Sequence, residues 1–188
     1  MPDPVRISAF TIKAKDGRLR VIKTKSRIRQ ATSLCKIHNL PQPDAEVDAI
    51  WDTGATNTAV SSHLAKSLGL KPITKTTVVG VGSKDVSDVY LIDILLPNGV
   101  VAPEIKVTEA TKIQDTEVLI GMDIITAGDF SITNCGGITC CSFRTPPDSK
   151  HIDYIETVET LKAGAQKIEY TRQQFKNLSR TKRKHKKH

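Results

Sequence analysis

The sequence predicts a mainly β protein with a few short helices and one amphipathic helix near the C-terminus. Apolar residues alternate with polar ones in short segments along most of the chain, the period of a half-buried strand. Between these segments stand Asp16-Gly17, Gly80-Val81-Gly82, Asn98-Gly99 and Gly136-Gly137, residue types that accept the backbone angles of tight turns. The period changes to three and four only after His151. A length of 188 residues suits one domain with appendages.

Val5, Ile7 and Ala9, then Leu19 and Val21, alternate around Lys15-Asp16-Gly17-Arg18, which predicts a β-hairpin over 5–25. Its outward positions are mostly Lys and Arg. They read as a solvated face with edge-protecting lysines, because Phe10 alone offers a surface on which a base could stack. Ser26 to Leu40 suits either a strand or a short helix. Pro41-Gln42-Pro43-Asp44 is a loop. An apolar strand, Val47 to Trp51, runs into Asp52-Thr53-Gly54-Ala55, and β-rich residues resume through Val60. Ser61 to Leu70 is a short helix: serine caps it, Leu64, Ala65 and Leu68 share a face, and Gly69 ends it.

Ile73–Val79 and Val86–Ile92 form a hairpin around Gly80-Val81-Gly82-Ser83. Leu95 to Val101 is strand-turn-strand about Asn98-Gly99. Ile105–Thr108 and Thr116–Ile120 are strands, and Met122–Ile125 begins a short helix that Gly128 ends. Phe130 to Arg144 is a hairpin around Asn134-Cys135-Gly136-Gly137. Ile152, Ile155, Val158, Leu161, Ala165 and Ile168 mark an amphipathic helix within His151–Leu178. Arg180 to His188 is too charged to pack and is expected to be disordered. The segments divide the chain into a basic N-terminal hairpin extension (1–40), a central domain (41–145), a C-terminal helix (146–178) and a basic tail (179–188).

Two motifs carry chemistry. Asp52-Thr53-Gly54-Ala55 follows an apolar strand, and Val118-Leu119-Ile120-Gly121-Met122-Asp123 follows it at a distance. Together they resemble the retropepsin-like aspartic proteases over roughly Glu46 to Phe143. The resemblance implies a closed β-barrel in which the Leu-Ile-Gly strand crosses behind the Asp-Thr-Gly loop. It implies Asp52, Thr53 and Gly54 as the catalytic loop and Ala55 as a substrate-binding position. It also implies a flap hairpin whose tip, Gly80, Val81 and Gly82, covers the substrate. The chain departs from the viral pattern at Thr56-Asn57, where acids are usual, and at Met122-Asp123, where an arginine is frequent. Asp123, at a helix start, reads as a structural acid stabilised by the helix dipole.

Peptide hydrolysis by carboxylates needs one to activate water and one to protonate the leaving nitrogen. Two such groups about 3 Å apart share a proton. The sequence holds a single Asp-Thr-Gly and is too short for two lobes, so a two-fold homodimer is expected to supply the second Asp52. The expected activity is therefore that of an aspartic endopeptidase on extended peptides. Two rival readings are a non-catalytic dimeric peptide-binding module of the same fold and a nucleic-acid-binding protein working through its basic ends. A Ser/His/Asp site using Ser61 or Ser62 with His63 lacks the turn such a nucleophile needs.

Charge is unevenly distributed. Residues 1–40 carry net +8, residues 41–171 net −8, and residues 172–188 net +8. The acidic body attracts the basic ends, or the ends take up an outside polyanion, nucleic acid included. Cys35, Cys135, Cys140 and Cys141 match no zinc spacing and read as reduced thiols packed as small apolar residues. No metal and no cofactor is implied. No apolar run approaches the ~20 residues of a membrane helix. The first residues lack the apolar core of a signal peptide, so a soluble, cytoplasmic protein is expected.

Overall fold

The computed structural model describes residues 7–80, 83–110, 113 and 115–163. The chain divides into two units, residues 1–148 and 149–188. The first unit contains ten strands among the described residues: β1 (Ser8–Lys13), β2 (Lys23–Gln30), β3 (Asp44–Trp51), β4 (Ala59–Ser61), β5 (Pro72–Gly80), β6 (Ser83–Leu95), β7 (Val101–Ala110), β8 (Val118–Ile120), β9 (Asp129–Thr133) and β10 (Cys140–Thr145). Three short helices interrupt them: α1 (Thr32–His38), α2 (Ser62–Ser67) and α3 (Met122–Ile125).

Seven strands form one sheet in the order β2-β3-β8-β4-β7-β6-β5. The C-terminal part of β6 also pairs with β2, Ile28 opposite Ile94 and Gln30 opposite Ile92. That second pairing closes a six-stranded barrel and leaves β5 hanging from β6 as one arm of a hairpin. Ile28, Ala49, Val60, Ile92, Ile94, Val107, Val118 and Ile120 have no exposed surface and fill the core. The remaining strands make a three-stranded sheet, β1-β10-β9. Phe10, Phe143 and Phe130 stand opposite one another across it. All three meet Trp51 of the barrel, Phe130 stacked at 5.4 Å and the other two tilted at 5.0–5.6 Å. The Trp51 indole N–H donates to Thr24 Oγ1 at 3.0 Å, so its polar edge is satisfied inside the barrel.

The hairpin predicted over residues 5–25 does not form. The turn is present, with Gly17 at φ +66°, but its two arms go to different sheets. β1 pairs with β10, whereas β2 pairs with β3 and β6. Thr139 takes the turn instead: its carbonyl accepts from Ala14 N–H, its N–H donates to Gly17 O, and its hydroxyl accepts from Leu19 N–H. The arms part because Phe10 and Ile12 bury better against Phe143 and Cys141 than against Leu19 and Val21, which stay exposed. Ser26 to Leu40, open between strand and helix in the sequence, is both: the end of β2 followed by α1.

The basic face of β2 is not free. Lys25 pairs with Asp48 at 2.9 Å, Arg27 with Asp44 at 3.5 Å and Arg29 with Asp93 at 3.4 Å. Lys23 donates to Asp115 O. Part of the N-terminal positive charge therefore meets the acidic body as local cross-strand pairs.

Asp93 is the buried member of that set, 3% exposed. It sits at a bulge where the β6–β7 register shifts between Ile92 and Ile94, opposite Glu104 at φ +57°. Its carboxylate accepts from the Thr32 hydroxyl (2.6 Å), Thr32 N–H (3.1 Å) and Glu104 N–H (3.1 Å). Burial pushes its pKa up. The Thr32 hydroxyl, the Glu104 and Thr32 amides and the Arg29 charge more than offset this and hold it below the ordinary value. The stabilisation is complete above the unfolded carboxylate pKa of about 4 and disappears as pH falls through the lower folded-state value. Asp93→Ala should cost about 2–4 kcal/mol at neutral pH. Urea titrations at pH 7 and pH 3 should show that difference shrinking in acid.

The second unit contains α4 (Tyr154–Ala163). Asp153 caps it, accepting from Ile155 N–H at 2.7 Å and Glu156 N–H at 3.2 Å. Ile155, Val158 and Leu161 keep the predicted spacing. The rest of the predicted helix and the basic tail lie outside the described residues. Among the described residues no helix is long and apolar enough to cross a membrane.

Candidate active site

β3 carries its apolar run up to Trp51 and releases the chain into the loop 52–58, which returns as β4. β8 lies between these two strands, parallel to β3 (Trp51 opposite Ile120) and antiparallel to β4 (Ala59 opposite Leu119). The Leu-Ile-Gly strand thus runs behind the Asp-Thr-Gly loop, as the resemblance implied. Asp52 N–H donates to Ile120 O at 2.9 Å, and Ala55 N–H donates to Asp52 O at 3.2 Å, closing the turn. Gly54 N–H donates to Asp52 Oδ1 at 2.8 Å and aims the carboxylate. Asp52 and Ala55 are half-buried, while Thr53 and Gly54 are exposed. A side chain on Gly54 would place its Cβ 3.2 Å from Asp52 Oδ1, so glycine also keeps this face of the carboxylate open.

The loop is fastened to the start of α3. Met122 N–H donates to Ala55 O at 2.8 Å and Asp123 N–H to Thr56 O at 3.3 Å. Thr58, with no exposed surface, donates its N–H to Asp123 Oδ2 (2.9 Å) and its hydroxyl to Asp123 Oδ1 (2.7 Å). The same hydroxyl accepts from Gly121 N–H at 3.1 Å. Asp123 Oδ1 also accepts from Ile124 N–H, so it stabilises the helix start as expected. Its grip on Thr58 was not readable in advance. The available signal was an acid two residues past Gly121 and a threonine six past Asp52, neither informative until β8 brings them together.

The predicted flap is a hairpin of β5 and β6, paired from Pro72 opposite Tyr90 to Gly80 opposite Ser83. Gly80 ends β5; Val81 and Gly82 lie outside the described residues. Ser61 caps α2, its oxygen accepting from Leu64 N–H, and its hydroxyl donates to Glu117. His63 Nδ1 also meets Glu117, at 3.1 Å, and Ser62 donates to Glu109 at 2.5 Å. Both serines are thus engaged by carboxylates rather than by His63, and no serine nucleophile is assembled here.

All four cysteines are free. Burial pushes the Cys35 thiol up, and burial with the neighbouring Cys140 pushes Cys141 up to about 11. Both stay protonated and pack as apolar groups. Among the described residues no cluster of three or more His, Cys, Asp or Glu is placed to hold a metal.

A closed β-barrel with an Asp-Thr-Gly loop backed by Leu-Ile-Gly is the arrangement that the resemblance to the retropepsin-like aspartic proteases implies. Residues 43–127 match the family model described as "gag-polyprotein putative aspartyl protease", and this segment carries the whole of the site just described. No curated protein matches the chain. Among solved structures, the chain is similar to a retropepsin-like aspartic protease from Rickettsia conorii, at 13% identity and TM-score 0.46 over 74% of this chain and 94% of that one. It is similar to the retroviral protease-like domain of Ddi1 from Leishmania major at 16% identity and TM-score 0.37, covering 61% and 82%. It is also similar to a foamy viral protease-reverse transcriptase in complex with an RNA/DNA hybrid, at 18% identity and TM-score 0.38, covering 56% and 11%.

Proposed function

We propose that this chain is an aspartic endopeptidase that works as a homodimer. The supporting observation is the Asp52 carboxylate, aimed by Gly54 N–H on a loop locked to β8 and α3, in a segment that matches an aspartyl protease family. Two copies related by a two-fold axis bring two Asp52 carboxyls to one water. They share one proton, because two charges about 3 Å apart repel strongly. The ionised member takes a proton from water as its oxygen bonds to the peptide carbonyl carbon. The protonated member gives its proton to the carbonyl oxygen. The carboxyl that took water's proton then gives it to the peptide nitrogen while the other takes one back from a hydroxyl of the tetrahedral diol, so the C–N bond breaks, the carboxylic acid product forms and the pair again holds one proton.

In this reading Thr53 braces the partner loop across the axis, and Ala55 with Gly80, Val81 and Gly82 holds an extended peptide as an added strand. Residues 41–145, completed by β1 and β2, are assigned as the catalytic domain, and residues 146–188 lie outside it. The β1-β10-β9 sheet supports the dimer: β9 is an edge strand, and among the described residues nothing pairs with its outer side. A cytoplasmic setting is favoured by four free thiols. The paired basic face of β2 gives nucleic-acid binding no support.

The test is incubation of the full chain with an unstructured peptide mixture at mildly acidic pH in ¹⁸O-labelled water. Internal cleavage, with label in the new C-terminal carboxyls, is the expected result. An untouched mixture at every pH between 3 and 7 would overturn the assignment.

A further inference from the structure

We propose that Asp123 is a positioning residue for the Asp52 loop, acting through Thr58. The inference rests on the protease reading and goes beyond it, because Asp123 touches neither substrate nor the reacting atoms.

The loop 52–58 has little burial of its own to hold it: Thr53, Gly54, Thr56 and Asn57 are all exposed. Two backbone bonds hold its middle, Met122 N–H to Ala55 O and Asp123 N–H to Thr56 O, and its two ends are anchored separately. At the first, Asp52 N–H is bonded to Ile120 O. At the second, the buried Thr58 is gripped by Asp123 through two bonds of 2.7 and 2.9 Å. These are charge-assisted, and so about twice as strong as neutral ones.

The direction of the chain of bonds matters. A hydroxyl has one proton, and Thr58 gives it to Asp123, leaving its lone pairs to face Gly121 N–H. An ionised Asp123 therefore fixes the orientation of Thr58, and Thr58 fixes Gly121, which follows directly on the Ile120 carbonyl that holds Asp52. The lock closes a ring from Asp52 through β8 and α3 back to the far end of the same loop. Gly121 makes the ring tight. Its absent Cβ would lie 2.5 Å from the Asn57 carbonyl carbon and 2.9 Å from Thr58 N, so the two backbones are in direct contact.

In a dimer the distance between the two Asp52 carboxyls sets how far apart their apparent pKa values stand. Loosening the lock should let that distance vary. The bell of kcat/KM against pH should then narrow, with its two limbs moving together. Asp123→Ala should lower kcat by about 10²-fold per active dimer, the scale of a 1 Å misplacement, with KM nearly unchanged. Asp123→Asn, which keeps one acceptor for Thr58, should recover part of this. Asp123→Ala also removes a charge, so Thr58→Val and Thr58→Ser form the cleaner pair. Both keep Asp123, and only serine keeps the hydroxyl. Thr58→Val should narrow the bell, and Thr58→Ser should restore it.

A ¹³C titration of the Asp52 carboxyl in the intact dimer gives a second readout that needs no turnover. It should show two well-separated steps in the wild type and in Thr58→Ser, and closer steps in Thr58→Val. Unmoved limbs and unmoved titration steps in Thr58→Val, with the dimer folded by near-UV circular dichroism, would overturn the positioning role. A wild type that cleaves no peptide would instead overturn the protease reading, and the carboxyl titration would still decide whether the lock acts on Asp52.

Discussion

Asp52→Asn should abolish peptide cleavage, with turnover falling about 10⁴-fold, while leaving fold and assembly intact. Asparagine has nearly the same shape, and its side-chain oxygen can still accept the Gly54 N–H that Asp52 Oδ1 accepts at 2.8 Å. The loop therefore keeps its form. What is lost is the ability to take and give a proton. Asp52 is only half-buried, so little stability depends on its charge. The two-fold arrangement adds a sharper expectation. A dimer with one substituted subunit has only half of the carboxyl pair, so adding excess variant to the wild type should suppress activity far beyond dilution. Steady-state kinetics on the variant, and on mixtures after subunit exchange, measure both effects. Retained turnover in the variant would place the chemistry elsewhere.

Gly121→Ala should be the most damaging change that leaves every titratable group in place. The reason is crowding and not backbone freedom, since φ at Gly121 is −92°, open to any residue. A Cβ there would meet the Asn57 carbonyl carbon at 2.5 Å and its oxygen at 2.7 Å. Backbone cannot rotate aside as a side chain can, so the 52–58 loop must move away from β8. We expect a loss of about 3 kcal/mol in stability, and turnover lowered by about two orders of magnitude or more. Gly128→Ala provides the comparison. Its Cβ would lie 2.0 Å from Arg144 O, which pushes β10 off the end of α3 while sparing the loop. Thermal unfolding should show both variants destabilised. Activity per folded dimer should fall much further for Gly121→Ala.

Local signals in the sequence were read well where the structure is local. The Ser61 cap and the Gly69 stop bound α2, Asn98-Gly99 makes its turn, and the Phe130–Arg144 segment folds as a hairpin around Gly136-Gly137. Asp52-Thr53-Gly54 and Leu119-Ile120-Gly121 could be paired in advance because a resemblance supplied the long-range contact that periodicity lacks. Where no such link existed, the reading went to the nearest partner. Asp16-Gly17 looked like a hairpin turn, and its strands proved to belong to separate sheets, drawn apart by Phe143 on one side and by β3 and β6 on the other. The closure of the barrel through β2 and β6, the burial of Asp93 at a bulge and the Asp123–Thr58 bond share one property. Each depends on which distant strand lies alongside, and side-chain alternation is the same for every choice of neighbour.

The dependence of activity on protein concentration tests the central claim most directly. Peptide cleavage should be followed from high concentration down through the point where sedimentation shows the dimer dissociating. A site made of two half-sites predicts that turnover per chain collapses in step with the dimer and returns when the protein is concentrated again. Constant turnover per chain across that range, with the monomer as active as the dimer, would show that one Asp52 suffices and would contradict the shared-carboxyl mechanism.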